Sequence, residues 1–250
     1  MFWGAVEMKK TKIYALNNGI NSISFFKKAF EEGAVAVQCD IRRTLDGQFI
    51  ALRDRTLSKL CGRDWVVSGT SWAHIKNLPV RSGEPIPHLD DILKFMILRP
   101  VAKFFFRVFF SSARDISDLA HQISKAGIQD RIFITLPAGR ASLAQAAKKS
   151  AKGIGTAIFS SWPSGLAAKA SRYGMDKICL LSGGFPASSV FLRCFESFGT
   201  LIKQADLAKE EGIEFSIGAV NGPNTLRRAI QSGAEAVWAY DVAEIAKLLK

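Results

Sequence analysis

Short apolar runs rich in β-branched and aromatic residues alternate with helical patterns along most of this 250-residue chain. Glycine often follows a helical pattern, as at Gly33 and Gly127, which is typical of a helix C-cap. The alternation predicts parallel strands covered by helices, and several strands are apolar throughout, as in a sheet buried on both faces. The candidate strands are Lys12–Ala15, Val35–Ile41, Phe49–Leu52, Val101–Val108, Ile132–Leu136, Gly155–Phe159, Lys177–Leu181, Glu214–Ala219 and Ala236–Ala239. The candidate helices are Ser24–Glu32, Ile116–Ala126, Ala141–Ser150, Ser164–Tyr173, Leu201–Glu211, Thr225–Ser232 and Ala243–Leu249.

This pattern predicts an α/β fold, a (β/α)8 TIM barrel, as a single domain over residues 1–250. The candidate strands number nine, one more than such a barrel needs. Phe49–Leu52 is the exception, since it follows the turn signal Asp46-Gly47 with no helix between. We therefore interpret it as a hairpin arm.

Residues 56–97 interrupt the alternation, contain no clear strand and include the turn-rich stretch RSGEPIPHL. We expect this region to form an insertion at one end of the barrel, after the second or third strand. The most apolar stretch, Phe95 to Phe110, contains Arg99, Pro100, Lys103 and Arg107 and cannot supply the roughly 20 apolar residues of a membrane span. It is interpreted as a helix end, a turn and a buried strand.

The formal net charge of +12 favours anionic partners, namely a phosphorylated small molecule or an acidic membrane surface, although a solvated basic surface explains it equally well. The basic residues match no nucleic-acid-binding motif. The four cysteines have no metal-ligand spacing. The start MFWGAVEMKK lacks the apolar core of a secretory signal, so a cytoplasmic location is expected.

Three stretches, in order along the chain, resemble the glycerophosphodiester phosphodiesterase family of (β/α)8 barrels. The first is FFKKAFEEGAVAVQCDIRRTLDGQFIALRDRTL, where the family has Glu-x-Asp at a strand end, a Thr-x-Asp-Gly turn and a strand ending in His-Asp. The second is GEPIPHLDDIL, and the third is Ala219-Val220-Asn221, where the family has Trp-Thr-Val-Asn. The ordered set is specific for fold and family, but a fold does not determine an activity.

The resemblance implies metal-dependent phosphodiester hydrolysis. A divalent cation absorbs the negative charge that develops on the phosphate, while an acid and a base move protons. Family members are understood to hold Ca²⁺ or Mg²⁺ with a Glu, an Asp and a later Glu, and to use two His in the acid–base roles.

Carried over to this chain, the metal ligands are reduced to one. The family's first Glu falls on Gln38, and its Asp is kept as Asp40. The later Glu is expected in the strand near Val101–Phe110, but no Asp or Glu occurs between Asp91 and Asp115. A hard dication requires several charged oxygens, so no metal or other cofactor is expected here.

The acid–base histidines are also replaced. The His of the His-Asp pair falls on Arg53, with Asp54 kept beside it. The His after the first strand falls on Asn17, or on Ala15 if the loop is shortened differently. The nearby Arg53 would repel a cation and suits phosphate oxygens, although an ion pair with Asp40 or Asp54 is an equally good explanation of it.

The favoured hypothesis is a divergent member without metal-dependent hydrolysis that binds a phosphorylated or anionic ligand at the barrel mouth. Loop amides at Ser182-Gly183-Gly184 and Ser160-Ser161 are further candidates for anion contacts. The expected ligand-binding residues are Asn17, Gln38, Asp40, Arg53 and Asn221.

Two alternatives remain. One is an active phosphodiesterase with a rearranged site, for which Asp40, Asp54 and His88 are weak catalytic candidates. His88 in the PIPHLDD turn is more simply a helix cap, and His74 and His121 fit ordinary helix positions. The other is a basic scaffold whose surface binds a protein or a membrane.

Overall fold

The computed structural model describes residues 11–17, 19, 21–181 and 199–250. Eight strands pair in parallel in the order β1-β2-β4-β5-β6-β7-β8-β9, and β1 closes the barrel by pairing with both β2 and β9. The predicted α/β barrel is therefore confirmed. The strands are β1 (Lys12–Ala15), β2 (Ala36–Arg43), β3 (Phe49–Ala51), β4 (Lys103–Val108), β5 (Ile132–Pro137), β6 (Gly155–Ser160), β7 (Lys177–Leu181), β8 (Glu214–Val220) and β9 (Ala236–Ala239).

Strand β3 is the predicted hairpin arm. It pairs antiparallel with β2, with Arg43 opposite Phe49 and Ile41 opposite Ala51. Between the two strands Gly47 has a φ of +81°, which glycine adopts readily, and Thr44 Oγ1 donates to Asp46 Oδ1 at 2.6 Å. The hairpin sends the chain back from the mouth of the barrel towards the loop that follows β1.

The helices lie outside the barrel. They are α1 (Ile23–Glu31), α2 (Ser58–Cys61), α3 (Trp72–Ile75), α4 (Leu89–Ile97), α5 (Ala113–Lys125), α6 (Ala144–Ser150), α7 (Leu166–Arg172), α8 (Thr200–Glu210), α9 (Pro223–Gln231) and α10 (Val242–Leu248). Helix α5 begins three residues earlier than predicted. Helix α6 begins later, because a 3₁₀ segment with a non-helical Arg140 precedes it.

Aromatic side chains fill the centre of the barrel. Trp238 is 1% exposed, and its ring centroid lies 5.0 Å from that of Tyr14 and 4.8 Å from that of Phe105. Glycine makes the required room, since a Cβ at Gly155 would lie 2.3 Å from Cδ1 of Phe133. The indole N–H of Trp238 donates to Ser216 Oγ at 3.0 Å, so this packing leaves no unpaired indole.

Charged groups lie at the amino-terminal ends of the strands. Glu214 accepts a hydrogen bond from the Tyr14 hydroxyl and pairs with Lys177 at 2.7 Å. Burial, and then the charge of Glu214, raise the pKa of Tyr14 far above its usual range. This end of the barrel is closed by paired groups, so the open end is the one at the carboxyl termini of the strands.

Residues 56–97 divide into two parts. Helix α4 packs in the main core through Leu89, Ile92 and Met96, so it covers the barrel as the other helices do. The residues before α4 pack against Ile50 and Leu52, at and just after β3, and form a separate apolar cluster. The cluster consists of Ile50, Leu52, Leu57, Val67, Ile75 and Ile86. Among the described residues, none of the helices is both long and apolar enough to cross a bilayer.

Candidate functional site

Four polar side chains are buried together at the mouth of the barrel. Gln38 and Asp40 lie on β2, and Asn17 and Asn21 come from the loop between β1 and α1. Their exposed fractions are 3% for Asn17, 7% for Asn21, 3% for Gln38 and 0% for Asp40. Buried polar groups require hydrogen-bond partners, so the contacts of these four decide what the site can do.

The two asparagines fix the loop after β1. Asn17 Nδ2 donates to Asn21 Oδ1 at 3.0 Å and to the Gln38 carbonyl at 3.1 Å, and Asn17 Oδ1 accepts from the Gly19 amide. Asn21 Oδ1 also accepts from the Asp40 amide at 2.7 Å. The side chain of Asn17 is thus committed to the loop, and Asn21 connects that loop to β2. The role of Asn21 was not predicted from the sequence.

Arg107 is the second functional residue that sequence analysis missed. It lies on β4 directly opposite Asp40 in the parallel register, and its Nε donates to Asp40 Oδ1 at 2.6 Å. Gln38 Nε2 is 3.2 Å from the same oxygen. The signal was present in KFFFRVFF, because Arg107 alternates with Phe105 and therefore points into the barrel at the mouth.

Two atoms of this network are buried and have no hydrogen-bond partner among the described residues. They are the acceptor Asp40 Oδ2 and the donor Asn21 Nδ2. Asn21 also lines a cavity of about 30 Å³, which has room for a water molecule. A hydroxyl group or a water is both a donor and an acceptor, so it matches the two unpaired atoms in type.

The remaining predicted ligand residues lie at the rim. Arg53 is exposed beside the β1 loop, and a Cβ at Gly19 would lie 3.9 Å from its Cδ. Neither ion pair considered for Arg53 forms among the described residues, because Asp40 pairs with Arg107 and Asp54 with Lys59 at 3.6 Å. Asn221 is exposed after β8, and its amide donates to Thr225 Oγ1. The structure thus joins Asn17, Gln38 and Asp40 in one network and leaves Arg53 and Asn221 around it.

His88 occupies the cap position expected of it. It is the N-cap of α4 and forms a capping box with Asp91, while its Nε2 lies 3.2 Å from Gln48 Oε1 and its ring packs 5.3 Å from that of Trp72. His74 forms a hydrogen bond with Ser71 at 2.7 Å. These contacts place His88 on the far side of β3 from β2, where residues 87 and 88 pair with β3.

We expect His88→Ala to lower the free energy of unfolding by about 1 kcal/mol, the usual cost of a lost N-cap. His88→Asn, which can cap the same helix, should cost less. Urea denaturation measures both values. Loss of ligand binding or of any phosphodiesterase activity in both variants, with unchanged stability, would contradict a capping role and restore His88 as a catalytic candidate.

Two loops were predicted to contact an anion, Ser160-Ser161 at the end of β6 and Ser182-Gly183-Gly184 after β7. Ser160 Oγ forms hydrogen bonds with both the amide and the carbonyl of Trp162, at 3.0 and 2.9 Å, so its hydroxyl is engaged within its own loop. Ser182-Gly183-Gly184 lies outside the described residues. Both remain predictions.

The residues at the mouth do not fit a divalent cation. Within residues 11–17, 19, 21–181 and 199–250, no three His, Cys, Asp or Glu side chains form a group that could hold a metal ion. Asp40 is the one carboxylate in the network, and a guanidinium is already bonded to one of its oxygens. Asp40 Oδ2 alone, beside a fixed positive charge, is a poor ligand set for an ion that needs several anionic oxygens.

The fold and the position of the polar network define an α/β barrel with a candidate site at the carboxyl ends of its strands, where barrel enzymes bind their ligands. The sequence profile of the Glycerophosphoryl diester phosphodiesterase family matches residues 15–170, more than half of the chain. The chain therefore belongs to this family.

Individual relatives agree with the family match. A Mycobacterium tuberculosis protein named "Probable glycerophosphodiester phosphodiesterase 2" is 24% identical over 184 residues, which cover 71% of this chain and 68% of that protein. The crystal structure of a glycerophosphodiester phosphodiesterase from Thermotoga maritima superposes with a TM-score of 0.72 at 17% identity, over 95% of this chain and 98% of that one. An Oleispira antarctica phosphodiesterase in complex with its product sn-glycerol-3-phosphate gives 0.70 at 14% identity, over 95% and 96%. At these identities the solved structures establish the fold.

Proposed function

We propose that this chain is a divergent member of its family that does not carry out metal-dependent phosphodiester hydrolysis and that binds a phosphorylated or other anionic ligand at the barrel mouth. The observation that carries the proposal is the ion pair between Arg107 and Asp40, at 2.6 Å. A guanidinium bonded to the one carboxylate of the network takes the place that a dication would need, so Asp40 acts as a partner for Arg107. No cofactor is part of this proposal.

The same exchange of charge favours an anion. Arg53 presents an exposed guanidinium at the rim, and the fork of its N–H groups matches the oxygens of a phosphate. Behind it, the buried atoms Asp40 Oδ2 and Asn21 Nδ2 have no hydrogen-bond partner among the described residues. In this proposal Arg53 binds the anionic group. Gln38 and Asp40 form the floor of the site, and Asn17 and Asn221 form its sides.

Among the described residues, neither position that the family fills with an acid–base His carries a side chain suited to proton transfer near neutral pH. Arg53 cannot act as a base near neutral pH, and Asn17 is an amide whose hydrogen bonds hold the loop. Loss of a single positioned acid or base commonly lowers a rate about 10²- to 10⁴-fold, so replacing both leaves little catalysis. The proposal includes a cytoplasmic location and a role connected with lipid-derived phosphates.

Calorimetric titration with sn-glycerol-3-phosphate in the presence of a chelator tests the binding half of the proposal. We expect the wild-type protein to bind without any dication, and Arg53→Ala to bind at least ~10-fold more weakly, as for a lost hydrogen bond to a charged group. Arg172→Ala is the matched control, because Arg172 is an exposed arginine at the C-terminal end of α7, at the opposite end of the barrel. Equal binding by the two variants would contradict a role for Arg53.

An assay for hydrolysis of sn-glycero-3-phosphocholine with added Ca²⁺ or Mg²⁺ tests the other half. No turnover above the buffer blank is expected. Turnover that disappears in Asp40→Asn would show the rearranged active site instead. If the wild-type protein neither binds the monoester nor cleaves the diester, the mouth is not a ligand site and the basic surface becomes the better explanation.

A further inference from the structure

A cleft of about 800 Å³ lies beside the mouth, between the β2–β3 hairpin and the segment that joins β4 to α5. Its size falls within the range of sites that hold small organic molecules. Four arginines and two aspartates line it, so the lining carries a net positive charge. The charged lining residues are Arg42, Arg43, Arg55, Arg114, Asp46 and Asp115.

The negative charges of this cleft are already engaged. Arg43 bonds to Asp115 and, at 3.1 Å, to Asp118. Asp46 accepts from the Thr44 hydroxyl and the Trp72 amide, and these hydrogen bonds lower its pKa, so it stays ionised at the rim. Arg43 is therefore paired with carboxylates, whereas Asp46 keeps its negative charge at the rim. The other three guanidinium groups of the cleft form no ion pair among the described residues.

Arg55 and Arg114 are exposed and form no ion pair among the described residues. Arg42 is held in place, since its Nε and Nη2 donate to the Arg53 carbonyl at 3.0 and 2.7 Å and its guanidinium lies 4.5 Å from the ring centroid of Phe109. Its Nη1 has no hydrogen-bond partner in the described part of the chain. The cleft thus offers one fixed and two adjustable guanidinium donors.

The N-terminus of helix α5 borders the cleft. The first turn of the 13-residue helix α5 supplies Arg114 and Asp115, and its N-cap Ser112 makes no side-chain cap. The positive end of this helix dipole adds to the field of the arginines.

We propose that this cleft binds the phosphate of an organic phosphate monoester, with the guanidinium groups of Arg42, Arg55 and Arg114 on the phosphate and the apolar part of the ligand against Phe109 and Phe110. A phosphate dianion suits three guanidinium groups better than a carboxylate does, because it carries more negative charge and offers three terminal oxygens as acceptors instead of two. A phosphate alone would fill a small part of 800 Å³, and Phe109 is 37% exposed, so the cleft can also bury an apolar group. The cleft adjoins the mouth, because the guanidinium groups of Arg42 and Arg107 lie 4.5 and 5.2 Å from the ring centroid of the same Phe109. The proposal does not rest on the proposed function.

Calorimetric titration with phenyl phosphate in the presence of a chelator is the test. We expect Arg55→Ala/Arg114→Ala to weaken binding at least ~10-fold, because each substitution removes a charge-assisted hydrogen bond. The matched control is Lys125→Ala/Arg172→Ala, which removes the same charge from exposed residues at the helix ends opposite the mouth. The control variant should bind as the wild type does, and inorganic phosphate should bind more weakly than phenyl phosphate.

The variant Arg53→Ala separates this proposal from binding at the mouth. Phenyl phosphate affinity that falls with Arg53→Ala and is unchanged in the cleft variant would overturn the cleft site while supporting the mouth. Absence of binding by the wild-type protein, or equal losses in the cleft and control variants, would also overturn it.

Vesicles distinguish a free ligand from a lipid. Binding to phosphatidylcholine vesicles that contain phosphatidic acid, weakened in the cleft variant but not in its control, would assign the phosphate to a lipid headgroup. Vesicle binding that is the same in both variants, together with the loss of phenyl phosphate binding, would assign the site to a free phosphate monoester.

Discussion

The double variant Gln38→Glu/Arg107→Glu should bind a divalent cation, and the wild-type protein should not. Gln38 Nε2 and Arg107 Nε both approach Asp40 Oδ1, at 3.2 and 2.6 Å, so the three side chains already converge on one point. With carboxylates in place of the amide and the guanidinium, three anionic side chains would meet there, as a hard dication requires. Without metal, the repulsion among them should lower stability well below that of the wild type.

The measurement is the melting temperature with and without Ca²⁺ or Mg²⁺. At a dication concentration about 100-fold above the dissociation constant, binding stabilises a protein by ~2.7 kcal/mol. For a chain of this size that corresponds to a rise of roughly 5–10 °C. The wild type should show no comparable rise.

Two controls make this result specific. Arg107→Gln removes the guanidinium without adding a carboxylate, and it should gain no dication site. Sodium chloride at matched ionic strength should not reproduce the stabilisation of the double variant. A stoichiometric dication site in the wild-type protein, lost in Asp40→Asn, would refute the account of the mouth given above.

Removing one partner of the Asp40–Arg107 pair should have the second large effect. Asp40 is fully buried and the side chain of Arg107 is 16% exposed, so Arg107→Ala leaves a carboxylate inside the protein without its cation. Breaking such a buried pair typically costs 3–5 kcal/mol, and we expect about 3 kcal/mol because Arg107 keeps some contact with water. Denaturant unfolding at neutral pH measures the loss.

The variant Asp40→Asn/Arg107→Met supplies the comparison for this second prediction. Without a buried charge, it should recover part of the stability that Arg107→Ala loses, since an uncompensated charge costs more than a neutral pair. The cycle of Asp40→Asn, Arg107→Met and their double variant gives the coupling energy of the two side chains. A loss below about 1 kcal/mol in Arg107→Ala, as for an exposed ion pair, would contradict the burial of this contact.

Much of the fold was predictable from local pattern. The strands Lys12–Ala15, Lys177–Leu181 and Ala236–Ala239 have the predicted bounds, because each is a short, largely apolar run. The hairpin arm followed from Asp46-Gly47. The start of α6 was less predictable, since alanine-rich residues favour a helix throughout and only the backbone of Arg140 interrupts it.

The sequence predicted several residues of the candidate site but not the contacts between them. Gln38, Asp40 and Arg53 were located by motif, but Arg107 was missed because a search for a carboxylate passes over an arginine at the same place. Its partner is set by the register between β2 and β4, which the order of residues does not specify. The cleft beside Arg42 depends in the same way on the hairpin, which brings the Arg53 carbonyl to that guanidinium.

The aromatic packing inside the barrel stabilises the fold independently of the exposed residues at the rim. Tyr14, Phe105, Phe133 and Trp238 hold the strands together below the layer that contains Asp40. Exposed rim residues such as Arg53 and Asn221 lie outside this packing, so they can be substituted at little cost to the scaffold. The buried Asp40–Arg107 pair is different, because breaking it leaves an uncompensated charge. A family member that is no longer selected for hydrolysis would retain this barrel after its catalytic side chains had been replaced. The same barrel would then be able to acquire a different ligand specificity.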